Sequence, residues 1–335
     1  MKETIKKYLE EAKVGEVESF KNLAMWPITS NYSTSLEYLT LDEALSENQI
    51  EVMEVVQGGT VSELKVINKS PHMLMILDGE GLVGAKQNRV LNTTILVGGK
   101  STIVIPVSCV EQGRWSYVSR RFNSKGRIMS SNLRAIKSLQ VHESLRMSGN
   151  YRSNQGEIWD EIQAKAIRMK ALSPTMAMSR IYEKESGTLE EYTEHFHPME
   201  DQVGALFMIN GVVAGLDAFG RGGTFSRVFK KLLQSYALDA IDWFDPEKKV
   251  EPQEGEVTEF VKSVLSARVE ARPSVGLGTD CRLKSDKLTG FALIFDDQVL
   301  HLSVFPKPGN RSPKDRFKRM ESYSRRRIRD DARIR

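Results

Sequence analysis

Residues 78–89, DGEGLVGAKQNR, and 111–115, EQGRW, hold the side chains best suited to chemistry. Glu80 and Glu111 are carboxylates that could serve as general acid or base. Arg89 and Arg114 carry guanidinium forks that match phosphate oxygens, and Lys86 adds a point charge. Gln87, Asn88 and Gln112 offer amides to orient a ligand. Trp115 offers an indole to stack on a base or wall a pocket. Glycines at 79, 81 and 84 mark backbone that bends sharply or is closely approached. A second reading stays open: an ion-paired loop shell over a sheet end, with Trp115 as a core lid.

The two segments act together only if the fold brings them together. Runs 73–77 (MLMIL), 93–97 (TTILV) and 101–110 (STIVIPVSCV) have the length and β-branched content of strands. Gly98-Gly99 predicts a hairpin between the second and third runs, setting 89–92 beside 111–115. Earlier, 23–30 (LAMWPITS) reads as an edge strand stopped by Pro27, since proline cannot donate to a ladder. Residues 41–46 read as a short helix. Residues 51–56 and 63–68 read as strands joined across Gly58-Gly59. Strands with turns at close intervals predict a β-sandwich-like unit.

The chain then changes character. Residues 115–150 are basic and rich in Ser and Asn, which predicts a long surface loop with a helix near 133–146. Ile158, Trp159, Ile162, Ala166 and Met169 recur at helical spacing. Asn210-Gly211 is the strongest short hairpin signal, predicting two strands within 202–219. Phe225, Val228, Phe229, Leu232, Tyr236 and Ala240 predict a helix, with Thr224 as its N-cap. Val257, Phe260, Val261, Val264 and Leu265 predict another, and a hairpin follows over 289–305 around Asp296-Asp297. The expected architecture is therefore α+β: an N-terminal β-sandwich-like unit, a helical connection, and a C-terminal sheet with packed helices. The boundaries read as an N-terminal helix (1–19), a β-rich domain with a basic loop (20–150), an α+β domain (151–306) and a basic tail (307–335).

Charge is unevenly spread. The net charge is +4, yet residues 311–335 carry 11 Lys/Arg against 4 Asp/Glu, so the rest is slightly acidic. Arg114, Arg120, Arg121, Lys125, Arg127, Arg134 and Lys137 form a second basic region without an intervening acid. Both regions would suit a phosphate-bearing partner, and the tail, with Phe317 and Tyr323 interleaved, would suit nucleic acid. A solvated terminus is the plainer reading of the tail. No run reaches the roughly 18 apolar residues of a membrane span, so no membrane partner is expected. Two cysteines, Cys109 and Cys281, without metal spacing fit a reducing, cytoplasmic setting.

Other motifs are weaker. Gly220-Arg221-Gly222-Gly223-Thr224 before a helix could hold an anion, but lacks the Walker and dinucleotide patterns. His195 and His197 near Glu194 and Glu200 read as a solvated loop rather than a metal site, and His301 as a packed histidine. Asp217 interrupts an apolar strand, either turned inward with a partner or turned outward. No nucleophile elbow is present. The sequence names no cofactor.

The segments DGEGLVGAKQNRVLNTTILV, IPVSCVEQGRWSY, NQGEIWDEI, SPTMAMSRIYE and QVGALFMINGVVAGLDAF with LLQSYALDA resemble the ADP-ribosylglycohydrolase- and rhodanese-phosphatase-associated protein domain family. The resemblance spans roughly 20–305 and brings no catalytic assignment. By association it implies a nucleotide- or ADP-ribose-linked role. The expectation is a cytoplasmic domain that binds, and in one form of the reading hydrolyses, such a ligand. The alternatives are a nucleic-acid-binding accessory protein using the tail, and a structural scaffold.

Overall fold

The computed structural model describes residues 1–56, 58–247 and 251–309; the basic segment 311–335 lies outside the described residues. The fold is α+β. Its main layer is a nine-stranded antiparallel sheet. In spatial order its path runs Ala12–Val14, Leu23–Ser30, Gln202–Ile209, Val212–Phe219, Gln298–Pro306, Leu288–Phe295, Thr279–Lys284 and Arg268–Pro273, with Glu18–Phe20 also on Leu23–Ser30. Strands from the first thirty residues and the last hundred thus share one layer.

Strand alternation divides the side chains between two faces. Leu206, Leu216, Ala292, Leu302 and Val304 point to one side and pack with Ile5, Tyr8 and Leu9 of helix Lys2–Glu10 and with Val257, Phe260 and Val264 of helix Glu254–Ser266. Phe207, Phe219 and Phe305 point to the other. There helix Gly222–Asp242 buries Phe225, Val228, Phe229, Leu232 and Tyr236, the stripe its 3.6-residue period requires. Helices Ser131–Ser148, Gln155–Arg168, Met178–Lys184 and Ser186–Glu194 complete that layer.

Residues 38–128 build a second unit of two sheets around their own core. Six strands run in the order Phe122–Ile128, Glu80–Gly84, Arg89–Leu91, Thr102–Cys109, Glu63–Asn68 and Ile50–Glu54. Three more run in the order Ile95–Val97, Met73–Ile76 and Tyr38–Thr40. Val52, Leu64, Val66, Leu74, Ile76, Leu82, Leu91, Ile95 and Ile105 fill the space between, with Leu41 and Ala44 of helix Leu41–Ser46. This is the sandwich-like unit expected from the strand spacing.

Several local expectations are corrected. Gly98-Gly99 does not close a hairpin: Ile95–Val97 pairs with Met73–Ile76, while Thr102–Cys109 pairs with Glu63–Asn68 and Arg89–Leu91. The glycine serves close packing instead, since a Cβ on Gly99 would sit 2.2 Å from Pro71 O. Leu23–Ser30 runs through Pro27 and is paired on both sides, because the neighbouring chain breaks its own ladder at residues 15–17, opposite the missing N–H. The helix expected near 133–146 is present, but the rest of 115–150 is not one surface loop. It contains strand Phe122–Ile128, and the helix is largely buried, with Arg134 and Lys137 1 % and 0 % exposed. Those two cations are thus withdrawn from the basic region read as a partner surface. Thr224 is not the cap of its helix: it lies in the first turn, where its hydroxyl meets the Tyr38 hydroxyl at 2.9 Å. Strands Arg268–Pro273 and Thr279–Lys284 were not foreseen.

Candidate functional site

Arg89 opens its strand opposite Cys109 on one neighbour and Leu82 on the other. This register carries residues 84–89 to the end of strand Thr102–Cys109, where residues 111–115 begin. The two polar segments therefore meet, though not through a hairpin. The Asn88 N–H donates to Glu111 Oε2 (3.2 Å), and Gln87 Nε2 donates to Gln112 O (3.4 Å).

The cluster sorts into a staple and a mouth. Arg114 is the staple: it donates to Ala85 O (2.7 Å), Ser116 O (2.9 Å), Asn88 Oδ1 (3.2 Å), Gly84 O (3.4 Å) and Glu111 Oε2 (2.7 Å). Burial by itself would raise the Glu111 carboxyl, but the hydrogen bonds from Arg114, Asn88 and Thr175 outweigh it and hold Glu111 below the usual carboxylate range. A carboxylate so engaged is ionised and structurally committed, as is its arginine.

The mouth is built from Lys86, Arg89, Trp115 and four residues outside the sequence-based candidates, Glu54, Gly58, Gly59 and Thr60. Trp115 is 47 % exposed, with Lys86 Nζ 5.4 Å and Arg89 Cζ 5.6 Å from its ring centroid, cation–π distances. Lys86 also stands 5.1 Å over Tyr117 and donates to Gly58 O (2.5 Å). Gly59 has φ +75°, and a Cβ there would meet Lys86 Cδ at 3.0 Å, Trp115 Cζ2 at 3.4 Å and Glu54 Oε2 at 3.5 Å. The lysine, the indole and the carboxylate therefore converge on this glycine. Glu54 is 7 % exposed, and among the described residues neither carboxylate oxygen has a hydrogen-bond partner. Arg89, fully buried, donates Nη1 to Gln87 Oε1 (3.1 Å) and Nη2 to Thr60 O (3.4 Å), while its Nε is unpartnered. Burial lowers the Arg89 pKa, against the opposing pull of Cys109 and Glu54; burial also pushes the Cys109 thiol up to about 11, so it is an unreactive thiol at neutral pH.

Glu80 does not reach this mouth. It is 2 % exposed, accepts from the Leu77 N–H (2.7 Å) and pairs with Lys231, which also donates to Asp42 (2.6 Å). Burial, with the Asp42 charge adding to it, outweighs Lys231 and raises the Glu80 pKa. Lys231 itself is held charged by the two carboxylates, which overcome its burial.

A third polar network lies deeper. Asp217 accepts from Arg134 at 2.7 and 3.0 Å, from the Tyr236 hydroxyl (2.6 Å) and from His301 Nε2 (3.2 Å), whose Nδ1 faces Thr94 Oγ1 (2.8 Å). Thr94, His301 and Asp217 follow the order of a nucleophile, base and acid. Each is at most 1 % exposed, and Thr94 Oγ1 also accepts from the Asp78 N–H (2.9 Å). The network is closed and satisfied, which makes it a core feature. Among the described residues no group of three or more His, Cys, Asp or Glu is placed to hold a metal, and no helix is long and apolar enough to cross a membrane. His195 stacks on Phe20, with ring centroids 3.6 Å apart.

The family model of the ARG and Rhodanese-Phosphatase-superfamily-associated Protein domain, ARPP-1, matches residues 11–305. The chain belongs to this family. The match takes in the large sheet, the sandwich-like unit and the whole mouth. No curated protein and no solved structure matches the chain. The ARPP-1 domain is named for its association with ADP-ribosylglycohydrolase and rhodanese-phosphatase proteins, which is loosely consistent with ADP-ribose-related work.

Proposed function

We propose that the chain binds a nucleotide-type ligand, with ADP-ribose as the first candidate, at the mouth formed by Glu54, Lys86 and Trp115. The observation that carries this is Glu54: a buried carboxylate with two open oxygens beneath an exposed indole flanked by cations. Each part matches one part of a nucleotide. The base stacks on Trp115, worth about 1–3 kcal/mol by analogy with base–aromatic stacking. The ribose hydroxyls donate to Glu54, and Lys86 takes a phosphate. Arg114 and Glu111 hold the loop that presents Trp115 and do not meet the ligand. If the ligand is also hydrolysed, Glu54 is the carboxylate with capacity to move a proton, because Glu111 is saturated and Glu80 lies elsewhere. The two free, buried thiols, Cys109 and Cys281, fit a reducing, cytoplasmic setting.

The test is a thermal-shift and calorimetric titration of the full chain with ADP-ribose, AMP and NAD, repeated on Trp115→Ala and Glu54→Gln. The stacking term sets the expected loss for Trp115→Ala at roughly 5- to 150-fold in affinity. Silence across the panel, or titrations that both variants leave unchanged, would remove the site.

A further inference from the structure

Where helix Ser131–Ser148 packs over strands Leu288–Phe295 and Gln298–Pro306, the sheet face beneath it mixes polar with aromatic side chains, and the polar ones continue across the two strands beyond. Register sets Arg272 beside Asp280, Glu270 beside Arg282, and Arg282 beside Phe291, with Thr289 on the diagonal two residues along. The helix brings Ser138 and His142, one turn apart on the same face. Arg282, Ser138, His142 and Thr289 are each at most 1 % exposed.

The guanidinium of Arg282 is fixed in place but only half used. Its Nη2 donates to Thr93 Oγ1 (2.7 Å) and Asp280 Oδ2 (2.5 Å), and the rings of Tyr151 and Phe291 flank it at 5.4 and 5.2 Å. Among the described residues its Nε and Nη1 have no acceptor. Ser138 Oγ, Thr289 Oγ1 and both His142 nitrogens also lack hydrogen-bond partners among the described residues, and Glu270 comes only within 3.6 Å of His142 Nε2. A buried polar group left unpaired costs about 1–3 kcal/mol, and native cores hold few. Several on one seam, mostly donors, describe the outline of an acceptor. Burial, with the charges of Arg134 and Arg282 adding to it, pushes the Lys137 amine down to about 8 despite its pair with Asp78.

We propose that this seam encloses a phosphate-class oxyanion, held by Arg282, Ser138 and Thr289 and covered by Tyr151. A tetrahedral anion accepts from a guanidinium edge and two hydroxyls at once. Asp280 Oδ1 is open as well. It suits the hydroxyl of monohydrogen phosphate and repels sulfate, which has no proton to give. The enclosure favours free inorganic phosphate over the phosphate of a larger molecule.

Phosphate released on acid denaturation of the full chain is measured first. The protein is then dialysed free of phosphate and its melting temperature followed with inorganic phosphate, with ribose 5-phosphate and with sulfate, at matched ionic strength. Near-stoichiometric release, or a saturable rise of several degrees with phosphate and not sulfate, is expected. A response to ribose 5-phosphate alone assigns the phosphate to a larger ligand. Ser138→Ala and Thr289→Val each abolish the response without lowering the melting temperature in phosphate-free buffer, since neither hydroxyl has a protein partner. Trp115→Ala keeps it, which separates this site from the nucleotide mouth. The proposal falls if neither release nor rise is seen, if phosphate and sulfate act alike in wild type and both variants, or if either variant is destabilised without phosphate.

Discussion

Asp217 shows how the side-chain network sets stability. Burial alone would raise its carboxyl, but the Arg134 charge and the hydrogen bonds of His301 and Arg134 reverse that and hold it far below the usual carboxylate range. Asp217→Ala would strip Arg134, 1 % exposed, of its bidentate carboxylate and leave it only Asp78 at 3.4 Å and the Ser303 hydroxyl, so a loss of roughly 3–5 kcal/mol is expected. Urea denaturation of the two proteins measures it, and a loss under 1 kcal/mol would mean that the pair is not buried as described. His142 makes the pH prediction. Burial, then Lys284, Arg282 and Arg146, lower its pKa to about 4 against the partial support of Glu270. The unfolded chain therefore takes up this proton near pH 6.5 while the folded one does not, and stability falls as pH drops from about 6.5 to 4. His142→Gln flattens that part of the curve, and an unchanged slope would show that the imidazole is already charged when folded. At this scale the sequence was readable where polar residues were dense, as in AKQNR and EQGRW. It was unreadable at Glu54, which ends an ordinary alternating strand. Nothing local says that its oxygens go unpaired, because that depends on Gly59, Lys86 and Trp115 arriving from elsewhere.

Elements were legible in proportion to how local their signals are. Asn210-Gly211 and Asp296-Asp297 close hairpins as expected, with Asn210, Gly211, Asp296 and Asp297 all at positive φ. Helices Leu41–Ser46 and Gln155–Arg168 follow their apolar spacing. Strand Thr279–Lys284 was missed because its inward residues on one face are Asp280 and Arg282, which reverse the usual pattern of apolar in and polar out. Strand partners were the other failure. Residues 95–97 and 102–109 were recognisable as strands, but their pairing with 73–76 and 63–68 is set by non-local packing. Gly276 joins the two units: Leu277 bridges Leu96, and a Cβ on Gly276 would lie 2.1 Å from Leu96 O. Gly276→Ala must push that backbone away, and overpacking of this kind costs about 1–3 kcal/mol. A lowered melting temperature, with hydrogen exchange accelerated first at 95–97 and 277, is the expected result. Exchange that speeds up only elsewhere would show that the bridge does not couple the sheets.

For the whole molecule, the decisive fact is that the large sheet is woven from both ends of the chain. Leu23–Ser30 lies between Ala12–Val14 and Gln202–Ile209, and the helix whose Arg134 meets Asp217 precedes residue 150 while Asp217 follows it. A fragment of residues 1–150 would expose the apolar side of Ser131–Ser148 and leave Arg134 without Asp217. A fragment of 151–309 would lose the strand that covers Gln202–Ile209 and present an open, apolar edge, a template for aggregation. Neither half is therefore expected to fold alone, whereas co-expressed halves should associate, because the sheet interface and the buried ion pairs re-form together. Circular dichroism and limited proteolysis of each half, then co-purification of the pair, check this directly. The physical reason is one of cover: residues 1–150 supply both the strand Leu23–Ser30 that pairs with Gln202–Ile209 and the helix Ser131–Ser148 that packs on Leu288–Phe295 and Gln298–Pro306, so the later strands stay uncovered until both arrive. A soluble, cooperatively melting fragment of 151–309 would mean that Leu23–Ser30 is an accessory strand and that the later strands fold without it.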